Sequence, residues 1–580
     1  KATVENSGGT AVLYVPGDID SACSATSHHG YWYLFGRCIS INDTLYLSTI
    51  SRAGGLMLGA AFAMACGSVS AAATGPTTAE LNNAGQDAAN WLYATHDYSG
   101  QRYSKLNQIN RGNAAKLQAV CMYRSADAGP AQTNPVVYDG VMYLSIARSI
   151  VAIDAATCRE RWKYTWEPKG NELSPTNRGV AIKDGKVIRG TADGYLIAVN
   201  ARDGSLAWSR QIASSTGQQY LSMPPLIFED MVIYGPAGAD FGQKGWVGAF
   251  SLADGSERWR LPFIPDPGQP GAESWKNPEA LKTGGGSMWT PITLDAAAGI
   301  LYVAVGNPAP DFYGDARLGD NLYTNSLLAV DVHSGKMLWY HQAVPHDVRD
   351  WDLTHAGPLF STTAAGKKRN VIVASGKDGL LRLIDRDTHE VLYTVPFTTH
   401  ENVDVPLTVE GVRSCPGLLG GQEWNGSAYS PLSNTLFVPA VDWCTTFKKA
   451  ADTPTFKQED HYYGGSIVMD PFEKARGWLT ALDASTGKTR WRYASNTPML
   501  AAVTATAGNV LFTGDFNRDF LTLDATNGKV LYRFNTGGEV AGGIVTYAVG
   551  GKQYVAAVSG YVSAFFKGSG PAGVTVFALP

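Results

Sequence analysis

The sequence predicts an all-β fold, an eight-bladed β-propeller built from tryptophan-docking repeats. The first observation is the composition: the 580 residues include 64 Gly, 15 Trp and 27 Tyr, and only 17% are charged. This turn-rich, aromatic-rich composition is unlike that of a helical bundle or a disordered chain. The second observation is a segment that occurs seven times along the chain. Repeats of this kind in an all-β chain are typical of propellers.

Each repeat consists of an apolar strand, a polar turn and a second strand that ends in a large ring. The segments are AIDAATCRERW, AVNARDGSLAW, AFSLADGSERW, AVDVHSGKMLW, LIDRDTHEVLY, ALDASTGKTRW and TLDATNGKVLY. Counted from the third residue, a Gly usually stands at +4, and the rings at +8 are Trp162, Trp208, Trp259, Trp339, Tyr393, Trp491 and Tyr532. An Asp-initiated turn with a left-handed Gly joins two strands into a hairpin. Because one hairpin cannot bury its own face, we expect neighbouring hairpins to stack their rings on one another.

The spacing of the repeats is uneven, at 46, 51, 80, 54, 98 and 41 residues between reference positions. Blades of about 45 residues fit the shorter intervals. The two longest intervals must therefore carry insertions or an additional degenerate blade. An eighth blade could be closed by joining the stretch LQAVCMY to the last strands, GGIVTYAV and KQYVAAVSG, because that closure removes exposed sheet edges.

Residues 1–73 are interpreted as an N-terminal extension followed by a signal-peptide-like segment at about 52–73. After Arg52, an apolar run ends in the small-residue stretch VSAAA near Ala73, a pattern typical of secretory signal peptides. A buried apolar helix and a lipoprotein site at Cys66 are the alternatives. Residues 74–580 are expected to form a single propeller domain with no membrane span. The sequence thus predicts an exported, periplasmic protein.

Charge and cysteine content exclude several classes of function. The net charge is −4 without a Lys/Arg block, which argues against nucleic acid as a partner. The seven Cys include no Cys-x-x-Cys pair, which excludes a zinc ribbon and a covalently attached haem.

Six motifs follow one another between Asn90 and Gly560. They are NWLYATHDYSGQRYSKLNQINRGNAAKL, GGGSMWTPITLD, YVAVGNPAPDFYGDARLGDNLYTNSLLAVD, VPHDVRDWD, GKDGLLRLIDR and CPGLLGGQEWNGSAYSP. Together with the repeats, they resemble the pyrroloquinoline quinone (PQQ) dependent alcohol dehydrogenases, a family of eight-bladed propellers. The resemblance implies PQQ and Ca²⁺ as cofactors. It also implies oxidation of an alcohol, primary or secondary and including bulky alcohols and polyols, by base-assisted hydride transfer to the quinone C5.

The resemblance also implies the residues of the active site. Asp350 in PHDVRD takes the position of the catalytic base, and Lys377 in SGKDG takes that of the cation that supports the developing oxyanion. The implied metal ligands are Asp240, Asn307 and Asp350, whose oxygen atoms suit a hard cation.

The implied contacts to the cofactor come from four side chains besides Lys377. Trp289 resembles the ring that stacks on the quinone, and Arg178 resembles the guanidinium that pairs with its carboxylates. Ser222 and Gln132 occupy positions that contact the quinone in the family. Candidates for the wall of the substrate pocket are Trp424, Trp443 and Phe516.

Four positions depart from the family pattern. Glu172 and Leu173 stand where many members carry two adjacent Cys that cap the quinone. Asp240 is one methylene shorter than the usual Glu ligand, and Glu423 stands where an Asn is common.

Two disulfides are expected in an oxidising compartment. Cys415 and Cys444, 29 residues apart, match a disulfide of relatives. Cys121 is expected to pair with Cys158, which replaces a repeat Gly beside a blade edge.

Several functions are compatible with these patterns. The leading one is an alcohol dehydrogenase that passes electrons to an external acceptor such as cytochrome c or a dye, because the chain lacks a CxxCH motif. A sugar or aldehyde dehydrogenase of the sorbose type and a mycotoxin-oxidising enzyme are alternatives with the same cofactor. A non-catalytic propeller scaffold is the alternative from another class. The order in which the site residues occur favours an enzyme over a scaffold.

Overall fold

The computed structural model describes residues 75–580 and four strands near the N-terminus. These strands are β1 (Thr3–Ser7), β2 (Thr10–Tyr14), β3 (Cys23–His28) and β4 (Tyr31–Phe35), and each pairs antiparallel with the next. The chain divides into two compact units, Lys1–Ala72 and Ala73–Pro580. The signal-peptide-like segment, 52–73, lies outside the described residues.

The larger unit is all-β, as the sequence predicts, and the one α-helix among its described residues, α1 (Thr78–Asn82), is short. Thr77 and Glu80 cap this helix through reciprocal hydrogen bonds. In the described part of the chain, no helix has the length and apolar character to cross a membrane.

Eight sheets of the larger unit, as far as it is described, contain at least four strands. The first two strands, β5 (Tyr103–Ser104) and β6 (Gln118–Arg124), join the last two of these sheets. The next five sheets each use four consecutive antiparallel strands. Their bounds are β7 (Val136–Tyr138), β8 (Val141–Ile146), β9 (Ser149–Asp154), β10 (Glu160–Thr165); β11 (Ala181–Lys183), β12 (Lys186–Gly190), β13 (Tyr195–Asn200), β14 (Leu206–Gln211); β15 (Leu226–Phe228), β16 (Met231–Tyr234), β17 (Trp246–Ser251), β18 (Glu257–Pro262); β19 (Thr293–Asp295), β20 (Ile300–Ala304), β21 (Ser326–Asp331), β22 (Met337–Gln342); and β23 (Leu353–Ala364), β24 (Lys367–Gly376), β25 (Leu380–Asp385), β26 (Val391–Pro396).

The sixth sheet is interrupted by an insertion in the 98-residue interval between repeats. The insertion is a three-stranded sheet of β27 (Val412–Ser414), β30 (Thr445–Lys449) and β31 (Gly465–Met469). The sixth sheet itself consists of β28 (Ala428–Ser430), β29 (Thr435–Asp442), β32 (Arg476–Asp483) and β33 (Thr489–Ser495). The longest interval thus carries an insertion in addition to its own four-stranded sheet.

Strands from both ends of the larger unit meet in the last two sheets. The seventh contains β34 (Thr504–Thr506), β35 (Val510–Gly514), β36 (Asp519–Asp524) and β37 (Val530–Asn535), with β5 parallel to β34. The eighth contains β38 (Val540–Val549), β39 (Lys552–Ser559) and β40 (Gly573–Ala578), and β6 pairs with β40. The sequence interpretation did not identify β40, whose short apolar run follows a Gly- and Pro-rich stretch.

The repeat rings connect neighbouring sheets. The Nε1–H of Trp162 donates to the carbonyl of Ala201 in the next sheet at 2.9 Å. A Cβ on Gly204, which has a φ of +75°, would lie 2.6 Å from the Trp162 ring, so this close contact requires glycine. Where His389 replaces the glycine, its ring stacks on Trp339 with centroids 4.4 Å apart. The same type of hydrogen bond to a carbonyl of the following sheet is made by Trp208, Trp259, Tyr393 and Trp491.

Both expected disulfides are confirmed. Cys121–Cys158 links β6 of the eighth sheet to the turn after β9 of the first, with Cα atoms 5.7 Å apart. Cys415–Cys444 joins the segment after β27 to the segment before β30, with Cα atoms 4.6 Å apart.

We expect the double variant Cys121→Ser/Cys158→Ser to unfold more readily than the wild type. The disulfide restricts the unfolded chain, and its loss costs about 2–4 kcal/mol in free energy of unfolding. Denaturant titration under oxidising conditions measures the difference. Wild type treated with reductant loses both disulfides and should therefore unfold at least as readily as the variant. Equal midpoints for the variant and the oxidised wild type would contradict the prediction.

Candidate active site

The predicted site residues lie on connections at one end of the sheets. In a sheet of antiparallel neighbours the chain reverses at every strand, so connections from second to third strands share an end with those that lead to the next sheet. The connections between second and third strands carry Asp240, Asn307 and Lys377. The connections that lead to the next sheet carry Gln132, Arg178, Ser222, Trp289, Asp350 and Trp424. The repeat turns lie at the opposite end.

Most of these residues surround one cavity of about 600 Å³, a volume within the range of small-molecule sites. The predicted residues that line it are Gln132, Arg178, Asp240, Trp289, Asn307, Asp350, Lys377 and Trp424. Ser222 lies behind the cavity wall, where its hydroxyl accepts a hydrogen bond from Nη1 of Arg178 at 3.1 Å.

Two of the three candidates for the pocket wall do not line the cavity. Trp443 and Phe516 pack on Phe566, with ring centroids 6.2 and 5.8 Å apart, and it is Phe566 that faces the cavity. Trp443 and Phe516 thus pack in an apolar cluster together with Phe566, and their part in the substrate pocket stays a prediction.

Asp350 and Lys377 form a buried ion pair in the wall of the cavity. Nζ of Lys377 lies 3.1 Å from Oδ2 of Asp350 and 2.7 Å from Oδ2 of Asp352. The other oxygen of Asp352 accepts a hydrogen bond from the backbone N–H of Asn307 at 3.0 Å. Asp350 has a φ of +56°, a left-handed conformation that is costly for residues other than glycine and that is common at functional sites.

One ammonium thus faces two carboxylates in a site shielded from water. Burial raises the pKa of Asp350 well above its usual value, and the proximity of Lys377 only partly offsets this effect. Burial alone would lower the pKa of Lys377, but the carboxylates of Asp350 and Asp352 outweigh it and raise that pKa well above its usual value. A cation bound near Asp350 would favour the ionised carboxylate that a base requires.

A third acidic residue lies beside Asp240 and Asp350. Single oxygen atoms of Asp240, Asp311 and Asp350 lie within 4.8 Å of one another. Burial raises the pKa values of Asp240 and Asp311. The sequence analysis missed Asp311, although it lies four residues after Asn307 within the motif GNPAPDFYG.

The indole of Trp289 carries two cationic groups near its ring. Cζ of Arg178 lies 4.9 Å and Nζ of Lys377 lies 5.5 Å from the ring centroid. Buried polar atoms nearby make no hydrogen bond to any described residue: Nε of Arg178, Oε1 of Gln132 and Oε1 of Glu423. Burial lowers the pKa of Arg178 to about 10 and raises the pKa of Glu423 to about 7.

Comparisons with known proteins identify the family of the chain. Residues 91–406 match the family model described as glucose/ethanol/alcohol dehydrogenase, β-propeller domain. The chain is 32% identical to the dehydrogenase subunit of the alcohol dehydrogenase (quinone) of Gluconacetobacter polyoxogenes, over 92% of this chain and 79% of that relative. The chain belongs to the PQQ-dependent alcohol dehydrogenase family. It is therefore an oxidoreductase of the quinoprotein class with a β-propeller fold, as the motifs of the sequence indicate.

Two solved structures of this enzyme family are similar along most of the chain. Quinohemoprotein alcohol dehydrogenase ADHIIG from Pseudomonas putida HK5 has a TM-score of 0.82 and 26% identity, and the match covers 87% of this chain and 82% of that one. A europium-containing methanol dehydrogenase has a TM-score of 0.80 and 26% identity, covering 86% of this chain and 100% of that one. Residues 455–572 also match the model of the outer membrane protein assembly factor BamB.

The residues that line the cavity of this PQQ-dependent family member fit a metal ion and a planar cofactor such as PQQ. Carboxylate and amide oxygens from Asp240, Asn307 and Asp350 form the donor set that a hard cation prefers. A flat indole flanked by cationic groups suits a planar cofactor that carries carboxylates. Nε of Arg178 and Oε1 of Gln132 are buried and form no hydrogen bond within the described part of the chain, so a ligand would satisfy them.

Leu173 and a stack of three rings belong to the lining of the cavity. Glu172 hydrogen-bonds Nε of Arg148 at 2.7 Å, whereas Leu173 lines the cavity. The ring of His461 stacks between Phe241 and Tyr463, with centroids 4.3 and 4.7 Å away, and all three line the cavity. The sequence analysis missed these rings, because they come from loops that carry no repeat pattern.

Proposed function

We propose that this protein is a PQQ- and Ca²⁺-dependent dehydrogenase that oxidises a primary or secondary alcohol to an aldehyde or ketone. The buried pair of Asp350 and Lys377, beside Trp289 in one cavity, is the observation that carries the proposal. We interpret the eight sheets of at least four strands as eight blades joined by tryptophan-docking contacts, so that residues 74–580 form one catalytic domain.

Each cofactor has a proposed set of protein groups. Asp240, Asn307 and Asp350 would hold Ca²⁺ through oxygen atoms. Trp289 would support the face of PQQ and Arg178 would pair with its carboxylates, with Gln132 close by. Ser222 acts on Arg178, whose guanidinium it holds by a hydrogen bond of 3.1 Å. When bound, the quinone supplies the acceptor for a hydride at C5, and the ion supplies Lewis acidity.

Asp350 and Lys377 act on the hydroxyl group of the substrate. Asp350 accepts the hydroxyl proton of the alcohol, which makes the adjacent carbon a better hydride donor. Lys377 stabilises negative charge that develops on oxygen, because its ammonium is fixed by Asp350 and Asp352 at 3.1 and 2.7 Å. Electrons would leave to an external acceptor such as cytochrome c, and the site of action would be the periplasm.

The composition of the cavity wall supports a bulky alcohol or polyol as the substrate. Trp424, Tyr463 and Phe566 present large rings to the cavity, and His461 adds a polar edge. Such a mixture accommodates a cyclic substrate that carries hydroxyl groups. Sugars of the sorbose type and hydroxylated mycotoxins belong to this class.

Reconstitution tests the proposed function directly. Purified apoprotein is incubated with PQQ and Ca²⁺, and dye reduction is followed with a panel of primary, secondary and cyclic alcohols. We expect turnover only when both cofactors are present, and a parallel series with La³⁺ measures the preference for the ion. Dye reduction that neither PQQ nor a metal ion changes would overturn the proposal.

We expect Trp289→Leu to weaken the binding of PQQ about tenfold. Loss of a stacked ring removes roughly 0.5–1.5 kcal/mol beyond the buried area, and about 1.4 kcal/mol corresponds to a factor of ten. Titration of the apoprotein with PQQ, followed by tryptophan fluorescence, gives the affinity. Trp443→Phe is the matched control, because Trp443 lies behind Phe566, and equal affinities for Trp289→Leu and the control would count against stacking.

A further inference from the structure

We propose that Asp311 is a fourth protein ligand of the metal ion, so that three carboxylates and one amide hold it. The inference rests on the proposed function only in that it concerns the same ion, the one assigned to Asp240, Asn307 and Asp350. Neither the motifs of the sequence nor the resemblance to the family assigns a role to Asp311.

The carboxylate of Asp311 is buried next to two other carboxylates and accepts no hydrogen bond from the described residues, which indicates that it binds a cation. The residue is only 1% exposed, and one of its carboxylate oxygens lies within 4.8 Å of oxygens of both Asp240 and Asp350. Neither of its two carboxylate oxygens accepts a hydrogen bond from any residue that the structure describes. A buried carboxylate without a hydrogen bond or counter-charge is strongly unfavourable. A cation shared with Asp240 and Asp350 would supply the missing charge.

The charge of Arg317 only partly offsets the effect of burial, which raises the pKa of Asp311, and neither carboxylate oxygen of Asp311 accepts a hydrogen bond from Arg317. Arg317 is fully buried, and its donors bind Oδ1 of Asn321 at 2.9 Å and the backbone carbonyls of Pro310, Asp311 and Asp347. Its contact with Asp311 is therefore to the main chain, at 3.1 Å from Nη2. Through these carbonyls Arg317 joins the loop of Asp311 to the loop that leads to Asp350. It thereby positions both side chains, and the carboxylate of Asp311 stays free to bind an ion.

A site with three carboxylates behaves differently with and without its ion. Without a cation, the buried negative charges repel one another and destabilise the fold; with a cation, each contributes to affinity. The neutral, isosteric change Asp311→Asn should therefore stabilise the ion-free protein and weaken binding of the ion. A purely structural Asp311 would not produce these opposite effects.

The test is calorimetric titration of PQQ-free protein with Ca²⁺ alone, combined with thermal unfolding. We expect Asp311→Asn to bind Ca²⁺ at least tenfold more weakly than wild type. Without Ca²⁺ the variant should unfold at a higher temperature than wild type, and added Ca²⁺ should raise its unfolding temperature by less. Asp515→Asn is the matched control. Asp515 is also buried and also lies on a connection between the second and third strands of a sheet. Its carboxylate, however, accepts hydrogen bonds from Ser495 and Asn517 and does not line the cavity. Asp311→Ser is a second variant with the same expected result.

The outcomes separate this inference from the proposed function. Equal Ca²⁺ affinities for wild type and both Asp311 variants, or a wild type that binds no Ca²⁺, would overturn the assignment of Asp311. A wild type that binds Ca²⁺ tightly, with weaker binding in the variants, but never oxidises an alcohol with PQQ would overturn the proposed function and leave Asp311 as a ligand.

Discussion

Asp350→Asn is expected to lower kcat by about 10³-fold, within the range that a positioned general base contributes. The amide has nearly the same shape and still offers an oxygen to a metal ion, but it cannot accept the proton of the alcohol. It also weakens the ion pair with Lys377, whose Nζ lies 3.1 Å from the Asp350 carboxylate. Dye-linked turnover of the reconstituted variant at saturating substrate measures the effect.

Two further measurements make this result specific. PQQ binding, followed by absorbance, should be retained in Asp350→Asn, so that the loss concerns the proton transfer. Asp254→Asn is the control, because Asp254 lies in a repeat turn at the opposite end of the sheets. A variant Asp350→Asn that keeps the turnover of wild type would exclude Asp350 as the base.

Lys377→Met is expected to lower the free energy of unfolding of the apoprotein by about 3–5 kcal/mol, the cost of leaving a buried charge without its partner. The ammonium of Lys377 is the common partner of Asp350 and Asp352, and all three groups are buried. Its removal leaves two carboxylates facing each other in a site shielded from water. Denaturant unfolding of the apoprotein measures the difference, and turnover of the reconstituted variant should also fall.

A double variant tests the electrostatic origin of this loss. Adding Asp352→Asn to Lys377→Met removes one of the two stranded charges and should recover part of the stability. Lys552→Met, a change at an exposed position of the eighth sheet, is the control and should unfold like wild type. If Lys377→Met unfolded at the wild-type midpoint, or if Asp352→Asn gave no recovery, charge pairing would not explain the role of Lys377.

The repeat could be predicted from the sequence because its geometry constrains two residues at once. A ring such as Trp162 needs both a strand end to carry it and a surface without a Cβ at Gly204 to receive it. Each repeat therefore carries a residue at +4 that receives a ring and a ring at +8, and this spacing within the repeat is fixed. By contrast, β40 belongs to no repeat and follows no such turn, and its pairing with β6 depends on contacts between distant parts of the sequence.

The candidate site was predictable to the extent that motifs mark it. The predicted residues lie around one cavity because alternate connections of antiparallel strands share an end, which needs no detail of packing. Asp311 was missed because an acid in a Pro-rich loop looks like a surface residue until the fold buries it. The packing of Trp443 and Phe516 on Phe566 could not be predicted, because the sequence does not reveal which side of a loop an aromatic ring faces.

The pairing of β6 with β40 has a consequence for how the protein matures. The eighth sheet obtains its outer strand from residues 118–124 and its third strand from residues 573–578, almost at the end of the chain. A nascent chain therefore cannot complete this sheet until residues 573–578 have been synthesised, long after residues 118–124. A circular permutant that joins the strands of this sheet in one stretch would remove this delay.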